Sequence, residues 1–119
     1  MPIISRLLLV TILLLCAAVS TSGQDLGKLP YVPTPQKVVD EMIRLAKVTD
    51  RDFVIDLGSG DGRTVITAAK HGAEGFGVDI DPRLVSLGNK NAKSAGVADR
   101  VQFFERDMFK TDIAKASVL

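Results

Sequence analysis

Three glycines at alternate positions, Gly58, Gly60 and Gly62, follow a short apolar strand, Val54–Leu57, that carries an acid, Asp56, near its end. Few folds use such a run. Without a Cβ, each glycine lets the chain turn sharply and lets a ligand lie against the backbone. The residues from Arg63 onward have helix-forming composition, and a helix starting there points its amides and positive dipole end at that ligand. A strand, a glycine turn and a helix in this order predict a parallel α/β sheet with a nucleotide-like ligand at its edge.

The spacing of the glycines narrows the ligand. The dinucleotide fingerprint is G-x-G-x-x-G, whose third glycine lies under a pyrophosphate. Arg63 occupies that position here, and the glycine comes one residue earlier. An NAD-binding domain is therefore the weaker alternative. The pattern D-x-G-x-G-x-G, led by Asp56, resembles motif I of the Rossmann-like methyltransferases that use S-adenosylmethionine (SAM). SAM has a cationic amino-acid end, a ribose and an adenine. An acid at a strand tip suits the ammonium group. On this reading Asp56, Gly58, Ser59, Gly60 and Gly62 form the wall at the methionine end.

The following residues repeat the unit. Arg63–Lys70 carries Val65, Ile66, Ala68 and Ala69 on one side, and His71 followed by Gly72 reads as a helix stop. His71, the only histidine, is taken as a helix-end residue rather than a base. Gly75–Asp79 predicts a second strand, again ending in an acid. Asp79 lies 21 residues beyond Gly58, near the ~20-residue offset at which a carboxylate meets ribose hydroxyls. Ile80 follows it on the ligand side. Asp81 and Pro82 read as N-cap and first residue of another helix, closing near Gly96. Arg100–Glu105 has the β-branched and aromatic content of a third strand. The family resemblance then assigns Asp107 to the adenine amino group and Met108 to the ring face, with core packing the alternative for Met108. The three acids would all sit at the carboxyl edge of one sheet.

Tyr31-Val-Pro-Thr-Pro35 precedes an expected helix over 35–48, with Thr34 as N-cap and Val38, Val39, Met42, Leu45 and Ala46 as its apolar face. This stretch, the helix and D-L-G-S-G-D-G-R together resemble a group of small methyltransferases whose studied eukaryotic members modify protein lysines. The resemblance implies a SAM-dependent transferase acting on protein lysine, with a non-catalytic SAM-binding fragment as the alternative. The expected fold is an α/β, Rossmann-like parallel sheet with flanking helices. Three strands are present, with Ala116–Leu119 as the start of a fourth beside the first, so 35–119 reads as the N-terminal part of such a domain.

Residues 1–23 read separately. Arg6 is followed by Leu7–Val19, 13 apolar residues broken only by Thr11, then small residues to Gly23. This is the pattern of a secretory signal peptide, short of the ~20 residues that span a bilayer. Export or membrane association is expected, with anchoring on the cytoplasmic face, where SAM is made, as the alternative. Residues 24–34 read as a lead-in. Cys16 is the only cysteine, which excludes a cysteine-based metal site from the remainder. Fifteen basic residues against 14 acids, with no basic stripe, argue against nucleic acid as a partner.

Overall fold

The strands form because residues 53–57, 74–79 and 101–105 combine β-branched and aromatic side chains between turn residues. In the computed structural model, which describes residues 30–119, they are β1 (Phe53–Leu57), β2 (Glu74–Asp79) and β3 (Val101–Glu105). The signal or anchor expected over 1–23 and most of the lead-in lie outside the described residues. The sheet is parallel in the order β1-β2-β3. Parallel neighbours need a crossover, and α2 (Arg63–Lys70) and α3 (Pro82–Ser94) supply the two crossovers, with α1 (Gln36–Leu45) preceding β1.

A further chain segment pairs with the other side of β1. Val118 bridges Val54 in parallel, the Ile55 amide donates to the Val118 carbonyl at 3.0 Å, and the Ser117 amide donates to Phe53 O at 2.9 Å. The opening of a fourth strand thus lies where the sequence put it. No helix among the described residues is long and apolar enough to cross a membrane.

The helix caps follow local chemistry with one exception. Asp81 accepts from the Arg83 amide at 2.9 Å and caps α3, with Pro82 at its first position. Gly72 (φ +97°) and Gly96 (φ +73°) take the left-handed conformation just past α2 and α3. Thr34 does not cap α1. Pro35 is extended (φ −54°, ψ 139°), so the helix begins one residue later, with no side-chain cap. Nor does α1 reach Val48: Lys47 turns left-handed (φ +52°) and ends it. Its buried residues are Val39 and Ile43, while Val38 and Met42 are half exposed and Leu45 is exposed.

One side chain joins most of the layers on the α2–α3 face. Phe103 of β3 is 2% exposed and packs with Val65, Ile66, Ala69, Ala92 and Val97. Its ring lies against three glycines. A Cβ on Gly62 would come within 2.5 Å of its Cζ, one on Gly77 within 2.7 Å of its Cδ1, and one on Gly88 within 2.9 Å of its Cγ. The backbone of the same residue faces outward from the sheet, where Asn89 of α3 both donates to its carbonyl and accepts from its amide, each at 3.0 Å. On the opposite face Arg106, expected from sequence to be solvated, stacks over the Phe104 ring at 4.5 Å.

Candidate functional site

The carboxyl ends of β1 and β2 open onto a cavity of about 230 Å³. Asp56, Gly58, Ser59, Gly60 and Asp79 line it, joined by Asp61, Arg63, Thr64, Met42 and the stretch Tyr31–Thr34. The loop is held from below: the amides of Gly58 and Ser59 both donate to Val78 O, at 2.8 and 2.9 Å. Gly58 (φ +85°) and Gly60 (φ +55°) need the conformation that glycine adopts freely. A Cβ on Gly58 would meet open space, whereas one on Gly60 would meet the Tyr31 ring.

The remaining expected site residues separate into two groups. Gly62 belongs to the loop and starts α2 in a left-handed conformation (φ +85°), but it faces Phe103 and not the cavity. Ile80, Asp107 and Met108 lie at the same sheet edge yet do not line the cavity. Ile80 is 72% exposed, and Asp107 caps the short 3-10 turn Met108–Lys110 by accepting from the Phe109 amide at 2.9 Å. His71 caps the end of α2 and is exposed.

Two carboxylates give the cavity its electrostatic character. Asp79 accepts from the Gly60 amide at 3.0 Å and from the Asp81 amide at 2.9 Å, which ties the glycine loop to the turn after β2. Asp56 is mostly buried. That burial, and secondly the charge of Asp79, push its carboxyl from 3.8 to about 6. A carboxylate so destabilised is a site for a cationic group. The hydroxyl of Ser59 is buried against Gly77 without a hydrogen-bond partner, the single such side-chain atom among the described residues. The α2 N-terminus completes the floor. Ile66 is the residue whose amide reaches back to Gly62 O, at 2.9 Å, so the amides before it keep the donor character of a helix start.

Nothing in the sequence singles out Asp61, and Arg63 stands out there only for occupying the third-glycine position. Arg63 Nη2 lies 2.6 Å from Asp61 Oδ2, Nε donates to the same carboxylate, and Nη1 donates to the Thr34 carbonyl at 2.8 Å. The guanidinium holds the Asp61 carboxyl below its ordinary value. The D-x-R spacing is the local signal of the ion pair. The Thr34 contact, 29 residues away in sequence, has none.

A profile of the ANTKMT methyltransferase domain matches residues 56–119. A protein-lysine N-methyltransferase of Saccharolobus islandicus is 42% identical over 92 residues, covering 76% of this chain and 57% of the relative. An ATP synthase lysine N-methyltransferase of Mus musculus is 38% identical over 89 residues, covering 75% and 36%. The crystal structure of an RNA methyltransferase from Salinibacter ruber in complex with S-adenosyl-L-homocysteine superposes with a TM-score of 0.71 at 57% identity, covering 72% of this chain and 57% of that one. The chain thus spans between about a third and somewhat over half the length of these relatives.

Proposed function

Because the chain belongs to the ANTKMT methyltransferase-domain family, within the Rossmann-like methyltransferases that use SAM, we propose that it transfers a methyl group from SAM to lysine side chains of a protein. The observation that carries this reading is the paired Asp56 and Asp79 at one cavity, behind a glycine loop that starts a helix. The residues fit the donor. A mostly buried acid without its own cation suits the ammonium end. Asp79 has lone pairs to spare for two ribose hydroxyls, and Gly58 leaves its Cβ direction open to the ligand. Asp107 and Met108 are proposed for the adenine on family resemblance alone.

The bound donor supplies an electrophilic methyl on a sulfonium. The protein's part is to hold that end still and in line with a neutral amine, and positioning of this kind is worth several kcal/mol of barrier, roughly 7 or more in well-oriented systems. In this reading Asp56 fixes the ammonium, Asp79 fixes the ribose and also steadies Gly60, and the α2 N-terminus faces the negative end of the methionine moiety.

Asp79→Ala is expected to weaken SAM binding by at least about 1 kcal/mol, the scale of a lost charge-assisted hydrogen bond. Unchanged affinity in isothermal titration would sink the ribose assignment. Asp56 gives a second test, with a defined sign. Its folded pKa of about 6 exceeds its unfolded value, so the ligand-free protein loses stability from this group as pH rises from about 4 to 6. The shift corresponds to roughly 2–3 kcal/mol, and Asp56→Asn should flatten that limb. A cationic ligand favours the ionised acid, so SAM affinity should be highest above pH 6 and fall up to about tenfold per unit below it. Equal affinity at pH 5 and pH 7.5 would count against Asp56 as the ammonium site.

The acceptor has a second reading, because the Salinibacter neighbour is described as an RNA methyltransferase. The balance of 15 basic and 14 acidic residues without a basic stripe supports protein over RNA. Labelled SAM offered with cellular protein and with RNA separates them. Methyl-lysine in protein hydrolysates supports the proposal, label in RNA replaces the acceptor, and donor binding without transfer to either leaves a SAM-binding protein. Export or membrane association through residues 1–23 is proposed from their composition, and a fusion reporter active only outside the cytoplasmic membrane tests it.

A further inference from the structure

Arg63 stands where a dinucleotide-binding loop would have its third glycine, and its side chain spans two parts of the chain that meet only in the fold. Its Nε and Nη2 engage the Asp61 carboxylate inside the glycine loop, and its Nη1 reaches the Thr34 carbonyl in the segment before α1. That segment, Tyr31–Thr34, forms one wall of the cavity. Pro33 lies within it, and Pro30 and Pro35 flank it, so its backbone is stiffened by locked φ angles. A stiff strap needs few attachment points. The structure provides three: the Arg63 contact, the Tyr31 ring over Gly60, where a Cβ would lie 2.7 Å from Cε2, and the bond from Gln36 Nε2 to Thr67 Oγ1 at 3.0 Å just beyond the strap.

We infer that Arg63 is a positioning residue that fastens the Tyr31–Thr34 strap across the glycine loop and so encloses the donor end of the cavity. It does so without touching the reacting atoms. The planar fork is what makes this possible: one edge is occupied by Asp61 while the remaining nitrogen is free for a carbonyl. A lysine could pair with Asp61 but could not hold both at once. The inference rests on the donor-binding reading for its functional consequence, but the fastening itself is a property of the ligand-free protein.

The chain carries its own probe. Tyr31 is the only tyrosine and there is no tryptophan, so intrinsic fluorescence reports the strap alone. Arg63→Ala and Arg63→Lys, made in the full chain and checked for helical circular dichroism, should each raise acrylamide quenching of Tyr31 by about twofold or more, as a ring released from Gly60 meets solvent. A phenol titration by ultraviolet absorbance separates release from mere loss of charge. Burial, then the nearby Asp61 carboxylate, raises the Tyr31 phenol above 10, and the Arg63 charge partly offsets this. If the strap stays closed, deleting the guanidinium raises the phenol pKa further. If it opens, the pKa falls toward 10. A fall in both variants, with quenching increased, supports the fastening; a rise, or unchanged quenching, overturns it. Affinity for S-adenosylhomocysteine should drop about tenfold in both, the scale of one charge-assisted hydrogen bond. If the wild type does not bind that ligand, the donor reading falls, and the tyrosine signals still decide whether Arg63 holds the strap.

Discussion

Phe103→Ala is expected to lower stability by about 3–5 kcal/mol, the range for deleting a buried phenylalanine. Small domains hold only about 5–15 kcal/mol in all, so the variant should be partly unfolded at ordinary temperature or melt far lower. The cost has an identifiable structure. The ring fills the space left by Gly62, Gly77 and Gly88 and touches residues of α2 and α3. Removing it leaves a cavity walled by three backbone positions, which can close only if a helix or strand moves. The glycines supply an internal check. Gly88→Ala alone should destabilise, because its Cβ would press within 2.9 Å of the ring. In the Phe103→Ala background the same methyl enters vacant space, so its cost should shrink or reverse. Urea unfolding of the four proteins gives the coupling. Additive effects would mean that the ring and Gly88 do not share a site.

Gly75→Ala is expected to destabilise by about 3 kcal/mol or more, at or beyond the upper end of ordinary overpacking. Gly75 of β2 pairs with Val54 of β1, and a Cβ there would run into the Val54 carbonyl oxygen. The obstacle is backbone, in the middle of a sheet, and it cannot rotate away as a side chain can. Relief requires parting β1 from β2, the two strands whose ends carry Asp56 and Asp79. The variant should therefore lose donor binding together with its cooperative melt. A Gly75→Ala protein that melts like wild type would show that the strands yield locally.

What the sequence makes legible is local. The glycine loop, the acids at two strand ends, the Asp81 cap and the glycine stops at 72 and 96 each follow from a few neighbouring residues, and each is where those residues put it. The loss of the Thr34 cap has a local cause too, since the extended Pro35 delays the helix by one residue. Long-range matters are not legible. Nothing near Phe103 reveals that glycines 15, 26 and 41 residues earlier will meet its ring. Gly62, expected to be ligand backbone because it stands in the loop, turns instead to that ring. Arg63 is visible only as a departure from a dinucleotide motif, because its second partner lies on another element. The expected apolar face of α1 is likewise too broad: Val39 and Ile43 are buried, while Val38, Met42 and Leu45 are not.

Asn89 bears on something larger than the strand it touches. An unpaired strand margin is a template on which another chain can add itself. At Phe103 the side-chain amide of Asn89 offers one donor and one acceptor in the places where a neighbouring peptide unit would offer them. β3 is thereby sealed at its midpoint by a residue of its own crossover helix. Pairing beyond β3 is blocked, while the Val118 side of β1 is already receiving backbone. The sheet thus has a direction of growth. Asn89→Ala would remove that directionality, exposing a short template whose first symptom should be concentration-dependent self-association and not a change in the ligand cavity.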